Sequence, residues 1–355
     1  MKHWVALAAS LLLVPLAGGG GRAETTLRVA FCARTITSAA APFAIANRMG
    51  WFKPGGFTVE LIALPGSTDC VKYVGTGEIL YALPSVEPLA SLRPQGVSAK
   101  VFYTAYQGNV YGLAVPADSP IRTLADLRGK RIGVTSMASG GVPVARAITA
   151  SLGLDPERDV NIVVVGEGAQ AAALLRTQQA DALSLYDTQY AIIETLGVPL
   201  RRMAAKDIDR FPSNGFIALD ETLTTRRAEA VLLAQGYAKG TIFAINNPEA
   251  AIRILWDVLP QTKATGKTEA DALRDDIKTL AARAANWRLE KAGVARWGES
   301  SLDNYQAYLD FLEKWGVIKQ RVAVADVVTN DLIADINRFD AEQIAEIART
   351  YDAPK

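Results

Sequence analysis

Residues 121–134, Ile-Arg-Thr-Leu-Ala-Asp-Leu-Arg-Gly-Lys-Arg-Ile-Gly-Val, compress a helical turn, a stop and the start of a buried strand into one short stretch. Thr123 is placed to cap the turn, with Asp126 three residues later as its acidic partner. Gly129 supplies the positive φ that ends the turn, and Lys130 and Arg131 stay solvated. Ile132-Gly133-Val134 opens the strand. Thr135 to Gly141 (Thr-Ser-Met-Ala-Ser-Gly-Gly) follows as a small polar loop before helical periodicity resumes. A strand, a Ser/Gly loop and a helix N-terminus together present backbone N–H groups to an anion or polar ligand. The bland alternative is an ordinary helix-to-strand connection in any α/β enzyme.

The same strand–loop–helix order begins at the start of the chain. Residues 26–31 alternate, with Leu27, Val29 and Phe31 on one face. A polar loop, 32–38, leads to a helix from Pro42, which ends at Gly50-Trp51-Phe52. Residues 57–61 form a second strand. Further strands are expected at 101–105, 161–165 (buried) and 182–186. From Thr225 onward the pattern is helical, with helices expected at 228–245, 270–287 and 302–315.

The N-terminus reads as a secretory signal. Lys2 precedes an apolar run from Trp4 to Ala17, and Gly21-Arg22-Ala23 is a small-x-small cleavage site. The run is shorter than the roughly 20 residues that a transmembrane helix needs. Removing residues 1–23 takes away Lys2 and Arg22 from 38 basic residues, leaving 36 against 37 acidic ones, a net charge of −1. That balance gives no support to nucleic acid or a membrane surface as partner. The single His of the chain is His3, so the mature protein has none. Ser-His-Asp and Cys-His catalysis, His-ligated metals and imidazole proton transfer are thereby excluded. No cofactor or metal is expected. Cys32 and Cys70 each follow a strand and can pair in an oxidising compartment; two separate buried thiols are the alternative.

A dinucleotide pattern must be weighed. Strand 161–165, then Gly166-Glu167-Gly168-Ala169-Gln170-Ala171, then a helix and a strand ending at Asp187 follow that spacing. It lies in mid-chain after another βα unit, whereas the fingerprint normally opens its fold, and an exported protein meets little nicotinamide cofactor.

Three motifs carry a family resemblance. Ser119, Ile121, Thr123, Asp126, Leu127, Gly129, Lys130, Ile132, Gly133 and Val134 resemble the segment that opens the second lobe of type II periplasmic solute-binding proteins. Ala46, Gly50, Trp51, Phe52, Gly56, Phe57, Val59, Glu60 and Leu61 resemble a motif of the first lobe. Trp315-Gly316-Val317-Ile318 and Thr329-Asn330-Asp331-Leu332-Ile333 resemble the C-terminal tail. The branch most resembled holds the sulfonate, taurine, nitrate and thiamine-precursor binding proteins of ABC importers. Leu80 stands where that family has an Asp, and Gln179-Ala180 where it has a Gly. The resemblance implies a two-lobed α/β fold, each lobe a mainly parallel sheet flanked by helices, with a ligand cleft between. It divides the chain into a signal (1–23), a first lobe (24–110 and 214–355) and a second lobe (111–213), with crossings near 106–115 and 204–216.

Polar loops at strand ends, 32–38, 64–69, 84–87 and 135–141, are the expected cleft walls. Arg34, with Thr35, is the candidate clamp for a carboxylate or sulfonate. Ser67, Thr68 and Ser85 supply hydroxyls, and Ser136, Ser139, Gly140 and Gly141 a helix N-terminus. Tyr186 and Asp187 suit an amine or hydroxyl, Asn214 and Phe216 complete the pocket, and Tyr106 can stack on a flat ligand. The function expected is the extracytoplasmic binding component of an ABC importer: a monomer that closes on a small polar or anionic organic ligand and delivers it to a permease with its ATPase. The alternative is an exported enzyme on the same fold, using chemistry without His.

Overall fold

The computed structural model describes residues 25–204 and 208–352; the expected signal segment lies outside them. The strands are β1 (Thr25–Phe31), β2 (Phe57–Ala63), β3 (Tyr81–Ala82), β4 (Ala99–Thr104), β5 (Leu113–Pro116), β6 (Arg131–Val134), β7 (Asn161–Val164), β8 (Ala182–Leu183), β9 (Leu200–Met203) and β10 (Gly215–Leu219). They form two five-stranded sheets, ordered β2-β1-β3-β10-β4 and β7-β6-β8-β5-β9.

The sheets share one plan. In the first, β1 is parallel to β2 and β3, and β10 runs antiparallel to β3 and β4. In the second, β6 is parallel to β7 and β8, and β5 runs antiparallel to β8 and β9. The fourth strand of each sheet has just arrived from the other lobe. It comes by a short crossing, which permits the antiparallel direction; parallel neighbours need a longer crossover. The lobes are therefore joined by two segments, one between β4 and β5 and one between β9 and β10.

Local chemistry explains the individual elements. β1 buries Leu27 and Val29 and leaves Thr26 and Arg28 exposed, as its alternation requires. The Asp126 carboxylate accepts from the backbone N–H of Thr123 (2.8 Å) and Arg122 (2.9 Å), and Gly129 has φ +74° where the turn stops before β6. Strand β7 departs from expectation. It is the edge of its sheet, pairs only with β6, and exposes Asn161 and Val164 instead of burying them. The edge of β2 is closed differently: the Asn47 side chain donates to the Val59 carbonyl (2.8 Å) and accepts from its N–H (2.9 Å).

After β10 the chain is helical. Helices Arg227–Asn246, Pro248–Val258, Glu269–Trp287 and Leu302–Lys314 contribute Tyr237, Leu255, Leu280, Trp287, Tyr305 and Leu309 to the core of the first lobe. Among the described residues no helix is long and apolar enough to cross a membrane. Cys32 and Cys70 are bonded to each other, tying the end of β1 to helix Ser67–Gly75.

Candidate functional site

The loops after the parallel strands of both sheets face one another, and a cavity lies between them. Phe31, Leu83, Tyr106, Val110, Tyr111 and Tyr186 form its apolar and aromatic walls. Thr37, Thr188, Asn214 and Arg283 supply polar groups. Tyr111 and Tyr186 meet edge to face, with centroids 6.0 Å apart. Asn214 is held by donating to the Leu83 carbonyl at 2.8 Å. The Thr188 hydroxyl is buried and has no hydrogen-bond partner among the described residues. Burial pushes the phenols of Tyr106 and Tyr186 up, so both are neutral donors at ordinary pH.

At one wall an ion pair joins the lobes. Asp187 opens helix Asp187–Thr195 of the second lobe, and Arg283 lies in helix Glu269–Trp287 of the first. Arg283 Nη2 donates to Asp187 Oδ1 at 2.6 Å, and Nε lies 2.9 Å from Oδ2. Asn286 Nδ2 donates to Oδ2 at 2.9 Å. The guanidinium carbon stands 4.0 Å from the centre of the Tyr106 ring. Arg283 and Asp187 are only 4% and 8% exposed. Burial opposes the charge on Arg283, but the Asp187 carboxylate outweighs it and the net shift is upward. Lys278 and Glu194 pair along the same two helices at 3.3 Å.

Of the candidates read from the sequence, Tyr106, Tyr186 and Asn214 line the cavity. Asp187 sits beside it but is taken by Arg283. Arg34 is corrected: its side chain and that of Thr35 are exposed and outside the lining. Their backbone N–H groups instead donate to the Glu167 carboxylate of the other lobe, at 3.3 and 2.9 Å. Phe216 is also corrected. It is fully buried among Phe43, Phe102 and Tyr237 in the first lobe's core, because it sits on the inner face of β10.

The Ser/Gly loop meets the other lobe directly. Ser136 Oγ donates to the Pro65 carbonyl at 2.8 Å, and Thr68 N–H to the Ala138 carbonyl at 3.0 Å. Ser139 Oγ accepts from Gly141 N–H at 3.1 Å. A Cβ on Gly140 would stand 2.4 Å from Ser85 Oγ, and one on Gly141 2.2 Å from the Ser184 carbonyl. Ser67 Oγ accepts from Ser85 N–H at 3.0 Å. Ser136, Thr68, Ser85 and Gly140 thus meet across the seam between lobes, and Ser67, Ser139 and Gly141 are held by their own lobes beside them; none of the seven is on the cavity wall.

Thr37 lies in the loop 32–38 and Tyr111 in the crossing near 106–115, both expected at the cleft, but neither was singled out; Thr188 and Arg283 escaped the sequence reading as site residues. Arg283 left a trace: it falls on the same helical stripe as Ala272, Leu280 and Trp287, where an apolar residue is the norm. In the loop Gly166–Gly168 the Glu167 carboxylate disfavours a phosphate: it turns toward the opposite lobe, where it would repel one. Among the described residues no group of three or more His, Cys, Asp or Glu side chains converges as a metal site.

Two lobes exchanging one strand each, with an aromatic cavity at the loop ends between them, define a two-lobed periplasmic-binding-protein fold of type II. Residues 37–251 match the NMT1/THI5-like family, and the chain belongs to it. It is 21% identical over 298 residues to the riboflavin-binding protein RibY of Chloroflexus aurantiacus, covering 82% of each chain. Its fold is similar to that of the alkanesulfonate-binding protein SsuA of Xanthomonas axonopodis pv. citri (TM-score 0.64, 19% identity, 86% of this chain and 98% of that one). It is also similar to the nitrate-binding protein NrtA of Synechocystis PCC 6803 (TM-score 0.63, 16% identity, 91% and 89%).

Proposed function

We propose that this protein is the extracytoplasmic solute-binding component of an ABC importer. It is exported by the signal at residues 1–23, works as a monomer in the periplasm, and hands its ligand to a permease driven by an ATPase. The lobes, 24–110 with 214–355 and 111–213, close on the ligand by a hinge motion at the two crossings. It performs no chemistry on the ligand. One observation carries this reading: a cavity lined by both lobes, aromatic on its walls, with a few fixed hydrogen-bonding groups.

The cavity favours an uncharged flat heterocycle over a sulfonate or carboxylate. Tyr106, Tyr111 and Tyr186 offer ring faces and edges, Thr37, Thr188 and Asn214 offer hydrogen bonds, and Arg283, the one cation on the wall among the described residues, already has its counter-charge. RibY, a relative named for riboflavin, points the same way. The cavity is narrow, with room for little more than water between its walls. A larger ligand therefore needs the walls to part.

Native mass spectrometry of protein purified from periplasm, followed by a thermal-shift panel, tests this. The panel holds flavins, pyrimidines, sulfonates, nitrate and carboxylates. A ligand at about 100 times its Kd adds roughly 2.7 kcal/mol. A stoichiometric heterocyclic adduct, unchanged after incubation, is the expected result. A converted adduct would move the protein to the enzyme class.

A further inference from the structure

We propose that Asp187 is a built-in counter-ion that makes the cleft select against anions. The inference rests on the cavity being the ligand site. Among the described residues Arg283 is the only cationic side chain lining that cavity. A guanidinium recognises a carboxylate or sulfonate best along one edge, with two parallel N–H donors. In this protein the Nε–Nη2 edge of Arg283 is filled by the protein's own carboxylate: Nη2 is 2.6 Å from Oδ1, and Nε is 3.0 Å from Oδ1 and 2.9 Å from Oδ2.

The carboxylate is itself fixed. Asn286 Nδ2 donates to Oδ2 at 2.9 Å, and Thr188 N–H donates to Oδ1 at 2.7 Å. The arginine is fixed from its other side by the Tyr106 ring. An incoming anion would have to displace a partner that costs no translational entropy to hold, or bring an uncompensated charge into a buried site. A neutral ligand faces neither cost. It meets the ring of Tyr106 and the buried hydroxyl of Thr188, which has no partner among the described residues.

Removing the Asp187 carboxylate should turn this arrangement around. The buried guanidinium then lacks a partner, and the space left beside it has the size and hydrogen-bonding pattern of a small carboxylate. Asp187→Ala should be repaired from outside by a small anion, whereas the native chain should ignore it.

The experiment uses the full mature chain and sodium formate and sodium methanesulfonate as probes, with sodium chloride at equal ionic strength as reference. Thermal melts are recorded for the native chain, Asp187→Ala, Asp187→Asn and the double variant Asp187→Ala/Arg283→Met. The expected result is no specific anion response in the native chain. Asp187→Ala should show a lower melting temperature that formate raises by several degrees, with half-saturation at least tenfold below any native response. The double variant should show no anion response, which assigns the effect to the guanidinium. If Asp187→Ala does not accumulate folded, its refolding yield in formate against chloride gives the same reading, and Asp187→Asn, whose amide fills the space, is the variant that formate should not help. The proposal is overturned if the native chain is stabilised by these anions as strongly as Asp187→Ala, or if Asp187→Ala gains no response in either measurement. Because the natural ligand takes no part in the assay, its outcome is independent of whether the protein serves an importer.

Discussion

Gly66 of the first lobe lies against Ala138 of the second so closely that a Cβ on Gly66 would come 2.4 Å from the Ala138 carbonyl oxygen. The clash is with backbone of the opposite lobe, not with its own. Gly66 has an extended backbone (φ 174°) that alanine also adopts. Gly66→Ala should therefore leave each lobe intact and prevent the seam from closing. Its unfolding free energy without ligand is expected within about 0.5 kcal/mol of native. Ligand affinity should fall at least tenfold, and small-angle scattering should show a larger radius of gyration. An unchanged radius with unchanged affinity would mean that the seam does not limit closure.

The Cys32–Cys70 bond closes a loop with a sequence separation of 38 residues. On chain-entropy grounds, a loop of that length is worth up to about 4 kcal/mol by restricting the unfolded chain. Cys32→Ser/Cys70→Ser is expected to lower the unfolding free energy by about 2–4 kcal/mol, read as a lower urea midpoint. Dithiothreitol should shift the native chain to the same midpoint and leave the double variant unmoved.

Glu87 is 1% exposed on helix Val86–Leu92, with Tyr308 donating to one carboxylate oxygen. Burial raises its pKa above the ordinary glutamate value, while the hydrogen bond from Tyr308 pulls the other way. An acid whose pKa is raised in the folded state gives its full stability below the unfolded pKa. That contribution is lost as pH rises through the folded pKa. Glu87→Gln keeps an acceptor for Tyr308 and removes the titration. Urea melts at stepped pH should show the two proteins alike in acid, with the native chain falling behind as neutrality is approached. Parallel pH profiles would show that Glu87 does not titrate differently on folding.

Much of the fold could be read because it is written locally. Thr123, Asp126 and Gly129 spell a capped turn and its stop within seven residues, and β1 shows its buried face in its own alternation. The site was read less well because its key contacts are distant in sequence. Asp187 was found at the end of a strand, but its partner lies 96 residues on, in a helix that otherwise reads as ordinary packing. Arg34 attracted attention as the cation nearest a strand end, yet side-chain direction in a loop depends on what the other lobe presents. Here Glu167 takes the backbone of that loop and leaves the guanidinium outside. The Ser/Gly loop at 135–141 was chemically competent for a ligand, and only the approach of Pro65 and Ser85 shows that its groups are spent on the seam.

The Glu167 contact yields the last prediction. Its two carboxylate oxygens accept from the N–H groups of Arg34 and Thr35 across the cleft, and Tyr186 OH, on the cavity wall, donates to the same group at 3.3 Å. Charge-assisted hydrogen bonds of this kind are worth about 1.5–3 kcal/mol each when buried, and less where solvent reaches them, as here. They act between lobes, so their loss should appear in closure rather than in folding. Glu167→Ala is expected to weaken ligand binding by about 5–30-fold, equivalent to roughly 1–2 kcal/mol. The urea midpoint of the unliganded chain should barely move. Stopped-flow binding should assign the loss to faster ligand release, because the carboxylate latches a cleft that has already closed. A slower association rate with unchanged release would instead place Glu167 in the encounter step. A large fall in the unliganded midpoint would make it a structural residue of the second lobe.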